Sequence, residues 1–159
     1  MKLTALLAAA VLSFSAMQAT ASPLSDLADQ EGLGWMMGAW SGAEGRVKVS
    51  YEWRVDKNGI AVKFEAGERT AEGLMALKPG TQEVHYMAVD NKGAISKGQW
   101  VESNGSPALK ATRISEEGEV KTIAEHIKVD DNTMKVKVFK QDDSGNAGEL
   151  LMELELKKK

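Results

Sequence analysis

The chain has 159 residues, no cysteine and a formal net charge of −3. This length is enough for one domain with a real core, and the absence of cysteine excludes thiol redox chemistry, a thiolate metal site and a lipid-anchored lipoprotein. The mildly acidic balance argues against nucleic acid or an anionic membrane as the partner.

Residues 1–21 have the features of an export signal. Lys2 is followed by an apolar run from Leu3 to Phe14 that is too short to span a bilayer, and Ala19-Thr20-Ala21 has the small-residue pattern of a cleavage site. The sequence therefore predicts a signal peptide at 1–21, one domain at 22–159 and a periplasmic or secreted location. No membrane span is expected once the signal is removed.

The mature chain opens with a predicted short helix at residues 22–31. Ser22 is suited to cap this helix, Pro23 is favoured at its first position, and Gly32 or Gly34 is expected to end it. This is the one helix that the pattern predicts, because the chain that follows has the punctuation of a β-protein.

A predicted β-hairpin at residues 46–66 is the strongest structural feature of the sequence. Apolar and polar residues alternate from Arg46 to Val55, as in a half-buried strand, and Asn58-Gly59 is a strong hairpin-turn signal. If these two residues form the loop, the apolar faces of both strands coincide. The predicted cross-strand pairs are Val55 with Val62, Trp53 with Phe64, and Tyr51 with Ala66.

Turn-forming residues then recur at short intervals, and the runs between them have the length of strands. Besides a first strand around Trp40 and the two hairpin strands, the predicted strands are 70–77, 82–89, 94–101, 108–115, 120–129, 133–141 and 149–156. This makes about ten strands, with no crossover helix for parallel pairing. Two stacked sheets are an alternative, but closure removes exposed edges, so the prediction is an all-β, antiparallel up-and-down barrel.

The segment Met36-Met37-Gly38-Ala39-Trp40-Ser41-Gly42 carries a Gly-x-Trp motif at the entry to the first strand, after the predicted helix. In this motif and in its long antiparallel meander, the chain resembles the calycin group, and most of all the exported bacterial lipocalin-like families of unknown function. The resemblance implies a calycin-type barrel. It also implies an arginine from a late strand packed over Trp40, and Arg113 is the only late candidate.

The aromatic side chains are the best candidates for a binding site. Tyr51, Trp53 and Phe64 are expected on one face of two neighbouring strands, and aromatic and methionine side chains suit adaptable apolar cavities. A filled core is the alternative, because small barrels can be packed by their own side chains. The predicted cavity lining is Tyr51, Trp53, Phe64, Trp40, Tyr86 and Trp100, with Met36, Met37, Met75 and Met87 as further candidates.

Catalysis has no recognisable motif in this sequence. His85 and His126 are the two histidines, and neither lies in a nucleophile, base or metal-ligand arrangement. His85 falls opposite the more apolar face of its strand and is expected at the surface. His126 falls opposite Ile123 and Ile127 and is expected to be a surface or hydrogen-bonded histidine. No catalytic residue is assigned.

No metal or cofactor is predicted. Asp142, Asp143, Ser144 and Asn146 offer oxygen ligands in one loop, but this segment lacks the glycine and the distal glutamate of an EF-hand loop. The adjacent acids elsewhere lie in turns, where their side chains support chain reversal. The closing lysines, 157–159, are expected to form a solvated tail.

Three functions from different classes are compatible with these features. The preferred one is an exported carrier that holds a small hydrophobic or amphipathic ligand by burying its apolar surface. The second is a haem-dependent or isomerase-type enzyme that uses His85 or His126. The third is an interaction or stress-response protein with a filled core. An outer-membrane barrel fits less well, since it needs aromatic girdles and only 6% of the residues are aromatic. No oligomeric state is predicted.

Overall fold

The computed structural model describes residues 23–159, so the predicted signal peptide and the predicted cap Ser22 lie outside the described residues. No helix within 23–159 has the length and apolar character needed to cross a bilayer. In chain order the elements are α1 (Leu24–Gln30), a 3₁₀ turn (Gly34–Met36), β1 (Gly38–Gly42), a second 3₁₀ turn (Ala43–Gly45), β2 (Val47–Arg54), β3 (Gly59–Ala66), β4 (Arg69–Leu77), β5 (Val84–Asp90), β6 (Ile95–Ser103), β7 (Ser106–Ser115), β8 (Gly118–Asp130), β9 (Thr133–Gln141) and β10 (Ala147–Lys158).

The ten strands of the described residues form one closed barrel in which each strand pairs antiparallel with its neighbours in the sequence. The last strand, β10, closes the barrel by pairing with β1. The partners are Trp40 with Lys158, Ser41 with Lys157, and Gly42 with Leu156. The predicted all-β, antiparallel barrel with a short N-terminal helix is therefore confirmed, and the alternative of two stacked sheets is excluded.

Alternation along the strands sends one set of side chains into the barrel. The interior core is apolar and is completed at one end by α1 and the first 3₁₀ turn. Its buried members are Leu24, Met36, Trp40, Val49, Tyr51, Ile60, Met75, Met134, Val136 and Leu156.

The β2–β3 hairpin has a different register from the predicted one. Trp53 lies opposite Ile60 rather than Phe64, and Phe64 lies opposite Val49. The predicted partner of Tyr51 is wrong by the same shift of four residues. Because this shift is even, the inward and outward faces are preserved, and Trp53 and Phe64 both pack against the interior core.

The cause of the shift is a longer turn, which begins at Val55 and ends at Asn58. Val55, Asp56 and Lys57 have positive φ angles of 51°, 50° and 65°, and the Asn58 N–H donates to the Val55 carbonyl at 2.9 Å. Val55 is consequently 72% exposed at the turn instead of facing the core. The predicted two-residue loop is wrong for this reason.

Helix α1 is confirmed, with Pro23 at the N-cap rather than at the first helical position. Gly32 ends it in a Schellman arrangement. Its N–H donates to the Asp29 carbonyl at 3.1 Å, and the Leu33 N–H donates to the Ala28 carbonyl at 2.7 Å. Gly32 has a φ of 64°, which is costly for a residue with a Cβ.

The cation that packs over Trp40 is Lys158, not Arg113. Lys158 Nζ lies 5.2 Å from the centroid of the indole ring, and the two residues are cross-strand partners. Arg113 instead pairs with Asp90 at 3.0 Å. Lys157 and Lys158 do not form the predicted tail, because β10 continues through both residues, although the Lys157 side chain is exposed to solvent as expected.

Candidate ligand-binding cavity

The candidate site lies at the end of the barrel that α1 covers. Leu24, Leu27 and Ala28 follow the i, i+3, i+4 spacing of one helix face, which places them together against the barrel. Leu24 and Ala28 are buried, and Leu27 packs against the core. The helix is fastened to the β2–β3 turn, since the Ser25 N–H donates to the Lys57 carbonyl at 3.2 Å.

The first 3₁₀ turn is held in place by side chains of the two closing strands. Trp40 Nε1 donates to the Met36 carbonyl at 2.8 Å, and Lys158 Nζ donates to the Trp35 carbonyl at 3.2 Å. Trp35 and Trp40 also meet edge to face, with ring centroids 6.2 Å apart. These contacts fix the segment that forms one wall of the site.

A cavity of about 350 Å³, partly open to solvent, lies beneath α1. This volume is near the lower limit of about 300 Å³ for small-molecule sites in proteins. Most of the lining is apolar. The lining residues are Leu24, Leu27, Ala28, Glu31, Leu33, Met36, Met37, Ile60, Met75, Gln82, Val84, Trp100, Val101, Glu102, Gly105, Ser106 and Pro107.

The charged side chains that line this cavity are all negative. Glu31 and Glu102 contribute carboxylates and Gln82 contributes an amide, whereas no lysine, arginine or histidine of the described residues lines it. Both glutamates are exposed, so they lie where the cavity meets solvent. The cavity therefore favours a neutral or positively charged molecule over an anion.

Trp100 brings a polar group to this apolar lining. Its indole Nε1 is buried and has no hydrogen-bond partner among residues 23–159. A buried N–H without a partner costs free energy, typically about 1–3 kcal/mol. The ring also packs on the His126 imidazole, with centroids 4.9 Å apart.

His126 points into the barrel and is buried, so the expectation of a satisfied histidine holds while a surface position does not. Its Nδ1 lies 3.0 Å from the Ala124 carbonyl, and its Nε2 lies 3.0 Å from the Tyr51 hydroxyl. Because a carbonyl can only accept, Nδ1 carries the proton. Nε2 of the neutral ring then accepts from Tyr51. Both nitrogens are engaged.

Burial lowers the pKa of His126 from 6.5 to about 4, and the backbone carbonyls of Ala124 and Pro107 offset only part of this effect. Burial also raises the pKa of Tyr51 far above its ordinary value. The pair is therefore uncharged at neutral pH. It is suited to hold Trp100 in position rather than to exchange protons with a substrate.

His85 is exposed on the outer surface, as predicted, with Nε2 3.2 Å from a Glu83 carboxylate oxygen. This contact joins two half-exposed side chains on the same strand end. It lies outside the cavity lining, so the two histidines do not share a site.

The opposite end of the barrel is closed by a buried carboxylate. Asp90 pairs with Arg113 at 3.0 Å and with Arg69 at 3.2 Å, and it accepts the backbone N–H groups of Lys92 and Ala94. Burial would raise the pKa of Asp90, but the backbone N–H groups and Arg113 outweigh it and lower the pKa to about 2. This end is therefore built from ion pairs.

Of the six predicted lining residues, Trp100 lines the cavity beneath α1. The other five belong to the interior packing around it: Trp40, Tyr51, Trp53, Phe64 and Tyr86. Contact between a ligand and these five stays a prediction. Among the predicted methionines, Met36, Met37 and Met75 line the cavity, whereas Met87 is 58% exposed on the outer face.

Most of the lining that sequence reasoning missed comes from α1 and from the adjoining ends of β6 and β7 with the turn between them. The apolar spacing of Leu24, Leu27 and Ala28 could have identified the helix as a lid over an apolar space. Nothing local identifies Ser106 and Pro107, because their approach to α1 depends on how far β6 and β7 extend.

The oxygen-rich loop after β9 is occupied by its own hydrogen bonds. Asp142 Oδ1 accepts the N–H groups of Ser144 and Asn146 at 2.9 and 2.8 Å. Over residues 23–159, no group of three or more His, Asp or Glu side chains is arranged to hold a metal ion.

Comparison with models of known protein families and with curated proteins finds no match to this chain.

Proposed function

We propose that the protein is an exported binding protein that holds a small apolar molecule, neutral or positively charged, beneath α1. One observation carries the proposal. It is an apolar cavity of about 350 Å³ at the covered end of the barrel, lined by Trp100 and carrying no positive charge among the described residues.

The chemistry of the lining indicates the ligand class. Burying about 200 Å² of apolar ligand surface contributes about 5 kcal/mol, from which the cost of immobilising the ligand must be subtracted. The indole N–H of Trp100 adds a preference for one acceptor, such as a hydroxyl, ether or carbonyl oxygen. Glu31 and Glu102 add a preference for a positively charged end and disfavour a carboxylate.

Catalysis receives less support from the same geometry. Both nitrogens of His126 are engaged, and His85 lies on the outer surface beside Glu83. No histidine lines the cavity among the described residues, and its two carboxylates, Glu31 and Glu102, are exposed where the cavity meets solvent. We therefore propose binding rather than turnover.

The first experiment uses the neutral dye 1-aminoanthracene, whose emission rises in apolar sites. Dodecanol and dodecylamine are expected to displace the bound dye, and dodecanoate is expected not to displace it. Mass spectrometry of extracts from the purified protein would identify a natural ligand. The proposal fails if the dye does not bind, or if dodecanoate displaces it as well as dodecylamine does.

A variant test connects the dye to this cavity. Ala28→Leu adds three carbons at a buried position of the lining while keeping a residue of high helix propensity, and it is expected to weaken dye binding about tenfold in the folded variant. Ala39→Leu makes the same change at an exposed position of β1 and is the matched control. Equal dye affinity in both variants would place the dye elsewhere.

Trp100→Phe tests the polar contribution. Loss of the indole N–H is expected to lower the affinity for dodecanol about fivefold, which is the effect of one neutral hydrogen bond. The affinity for an alkylbenzene, which has no hydrogen-bond acceptor, is expected to change much less. If the affinities for both ligands fall equally, the indole contributes only apolar contact and no hydrogen bond.

Export is tested by expressing the full chain and sequencing the mature N-terminus after fractionation. Cleavage between Ala21 and Ser22 with release from the cytoplasm is expected. Retention of Met1 in the cytoplasmic fraction would contradict this part of the proposal without bearing on the cavity.

A further inference from the structure

A second concavity, of about 750 Å³ and open to solvent, lies on the outer surface of β4 to β8. Outward-facing side chains of five strands line most of it. Gln141 forms part of its edge, where Nε2 donates to the Thr122 carbonyl at 2.9 Å and anchors the end of β9 across the neighbouring strand. This surface is separate from the cavity beneath α1.

One row of directly opposed residues crosses this surface. Leu74 lies opposite Met87, Met87 opposite Lys97, Lys97 opposite Thr112, and Thr112 opposite Lys121. Neighbouring strands are about 4.8 Å apart, so the row extends over about 19 Å. It is apolar at the β4 end and basic at the β8 end.

The basic end carries uncompensated charge. Lys97, Lys110 and Lys121 line the concavity, and within residues 23–159 none of the three forms an ion pair. Most lysines elsewhere on the strands, and Lys78 in the turn after β4, have a carboxylate partner. Those pairs are Lys48 and Lys63 with Glu65, Lys78 with Glu83, Lys128 with Asp131, Lys135 and Lys137 with Glu153, and Lys157 with Glu155.

Three unpaired lysines on one face are notable in a chain whose formal net charge is −3. Their mutual repulsion is relieved when an anion lies between them. Lys97 and Lys121 flank Thr112 on adjacent strands, while Lys110 follows on the same face of β7. The three lysines therefore project from neighbouring positions on one face, with Lys110 Nζ beside Gly145 of the β9–β10 loop.

The other end of the row is apolar and accessible to solvent. Leu74 is 47% exposed and Met87 is 58% exposed, and the two side chains are cross-strand neighbours. An alkyl chain laid along the row would cover both of them while its anionic end reaches the lysines. A concave surface suits such a molecule better than it suits a planar membrane.

We propose that this outer surface binds a single-chain anionic amphiphile, with its head group at Lys97, Lys110 and Lys121 and its alkyl chain on Leu74 and Met87. The protein then has two sites with opposite charge preference. The cavity beneath α1 takes neutral or cationic molecules, and the outer surface takes anionic ones.

Titration calorimetry with dodecanoate, below its micelle concentration and with the cavity saturated by 1-aminoanthracene, tests this proposal. Dodecanoate is expected to bind without lowering the dye emission, and its affinity is expected to fall with added salt. Dodecanol and acetate, which each carry half of the recognised chemistry, are expected to bind this surface at least about tenfold more weakly.

The decisive variant is Lys97→Gln/Lys110→Gln/Lys121→Gln, for which at least about a tenfold loss of dodecanoate affinity is expected. The matched control is Lys48→Gln/Lys63→Gln/Lys78→Gln, which removes the same charge at exposed positions whose ion pairs contribute little to stability. Circular dichroism establishes that both variants are folded. Met87→Ser alone is expected to lower the affinity for dodecanoate, and it supplies a second test if the triple variant is unstable.

Three results would overturn the proposal. The first is equal binding of dodecanoate to the decisive variant and to its control. The second is displacement of the dye from the cavity by dodecanoate. The third concerns membranes. Sedimentation with phosphatidylglycerol vesicles without binding of monomeric dodecanoate would instead show a membrane-docking surface. Failure of the dye to bind at all concerns only the cavity, because dodecanoate binding at the lysines is measured separately.

Discussion

The Tyr51–His126 hydrogen bond is the main polar contact between opposite walls of the interior. Tyr51→Phe removes the hydroxyl and leaves His126 Nε2 buried without a donor. We expect the free energy of unfolding to fall by about 1–3 kcal/mol, measured by urea denaturation. Tyr86→Phe is the control, since no hydrogen bond is found for its hydroxyl among the described residues. Equal losses in both variants would contradict the role of the pair.

His126 also predicts a pH dependence of stability. Its pKa is about 4 in the folded protein and 6.5 when unfolded, so the unfolded chain binds the proton first as the pH falls. Stability is thus fully present above pH 6.5 and is lost towards pH 4, by about 3 kcal/mol at about 1.4 kcal/mol per unit.

His126→Gln, which does not titrate, is expected to remove this component. Denaturation curves at pH 7 and pH 4 measure it as the difference between the variant and the unaltered protein, because the carboxylates contribute equally to both. An unchanged pH profile in His126→Gln would show that the imidazole is protonated as easily when folded as when unfolded.

The inward position of His126 shows what a single strand pattern leaves open. Both faces of β8 carry apolar residues, with Ile123 and Ile127 on one and Ala124 on the other. The pairing of Ala124 with Val138 and Leu109 selects the second face, and these partners are distant in sequence. Periodicity alone therefore favoured the wrong face.

At the scale of strands, Gly98 and Gly73 mark places where neighbouring backbones approach too closely for a side chain. A Cβ on Gly98 would lie 2.5 Å from the Lys110 carbonyl oxygen, and a Cβ on Gly73 would lie 2.5 Å from that of Met87. Gly42, in contrast, would place a Cβ at ordinary contact distances of 3.4 Å or more.

Gly98→Ala is therefore expected to lower the free energy of unfolding by about 3 kcal/mol, because backbone atoms must move to admit the methyl group. Gly42→Ala is expected to change it by less than about 1 kcal/mol. Chemical denaturation of the two variants provides the comparison. A tolerated Gly98→Ala would mean that the strands can separate at this point without cost.

The hairpin shows which part of an element the sequence predicts. Alternation from Val47 to Arg54 correctly identified the inward face. That assignment holds although the predicted pairing is off by four residues, because an even shift keeps each side chain on its face. The partners depended on the turn. Asn58-Gly59 indicated a short loop, but the actual turn is longer and has positive φ angles at Val55 and Lys57, residue types that rarely adopt them.

At the scale of the whole molecule, the barrel depends on the pairing of its first and last strands. Deleting residues 156–159 removes every β1–β10 pair and the Lys158 contacts with Trp40 and Trp35. We expect loss of cooperative unfolding and a red-shifted tryptophan emission, because Trp40 would meet water. Replacing Lys159 alone is the control, since it lies beyond the last strand. A cooperative transition in the truncated chain would contradict the need for closure.

The architecture as a whole was predictable because turns punctuate the chain so regularly that strand number and antiparallel pairing follow from their spacing. The cavity was not predictable in the same way. Its existence depends on where α1 rests on the barrel end. Burial of Leu24 and Ala28 and the Ser25–Lys57 hydrogen bond both contribute to that position, and both join segments distant in sequence.

Closure by the final strand has a consequence for biosynthesis. A ribosome-bound chain holds β1 without its partner until Lys158 has emerged, so the growing sheet presents an unpaired edge throughout translation. Closure of the barrel therefore comes only after β10 has been synthesised, whatever the order in which the other strands pair. Until then the exposed edge of β1 can pair with a strand of another chain, so folding intermediates that lack β10 are prone to aggregation.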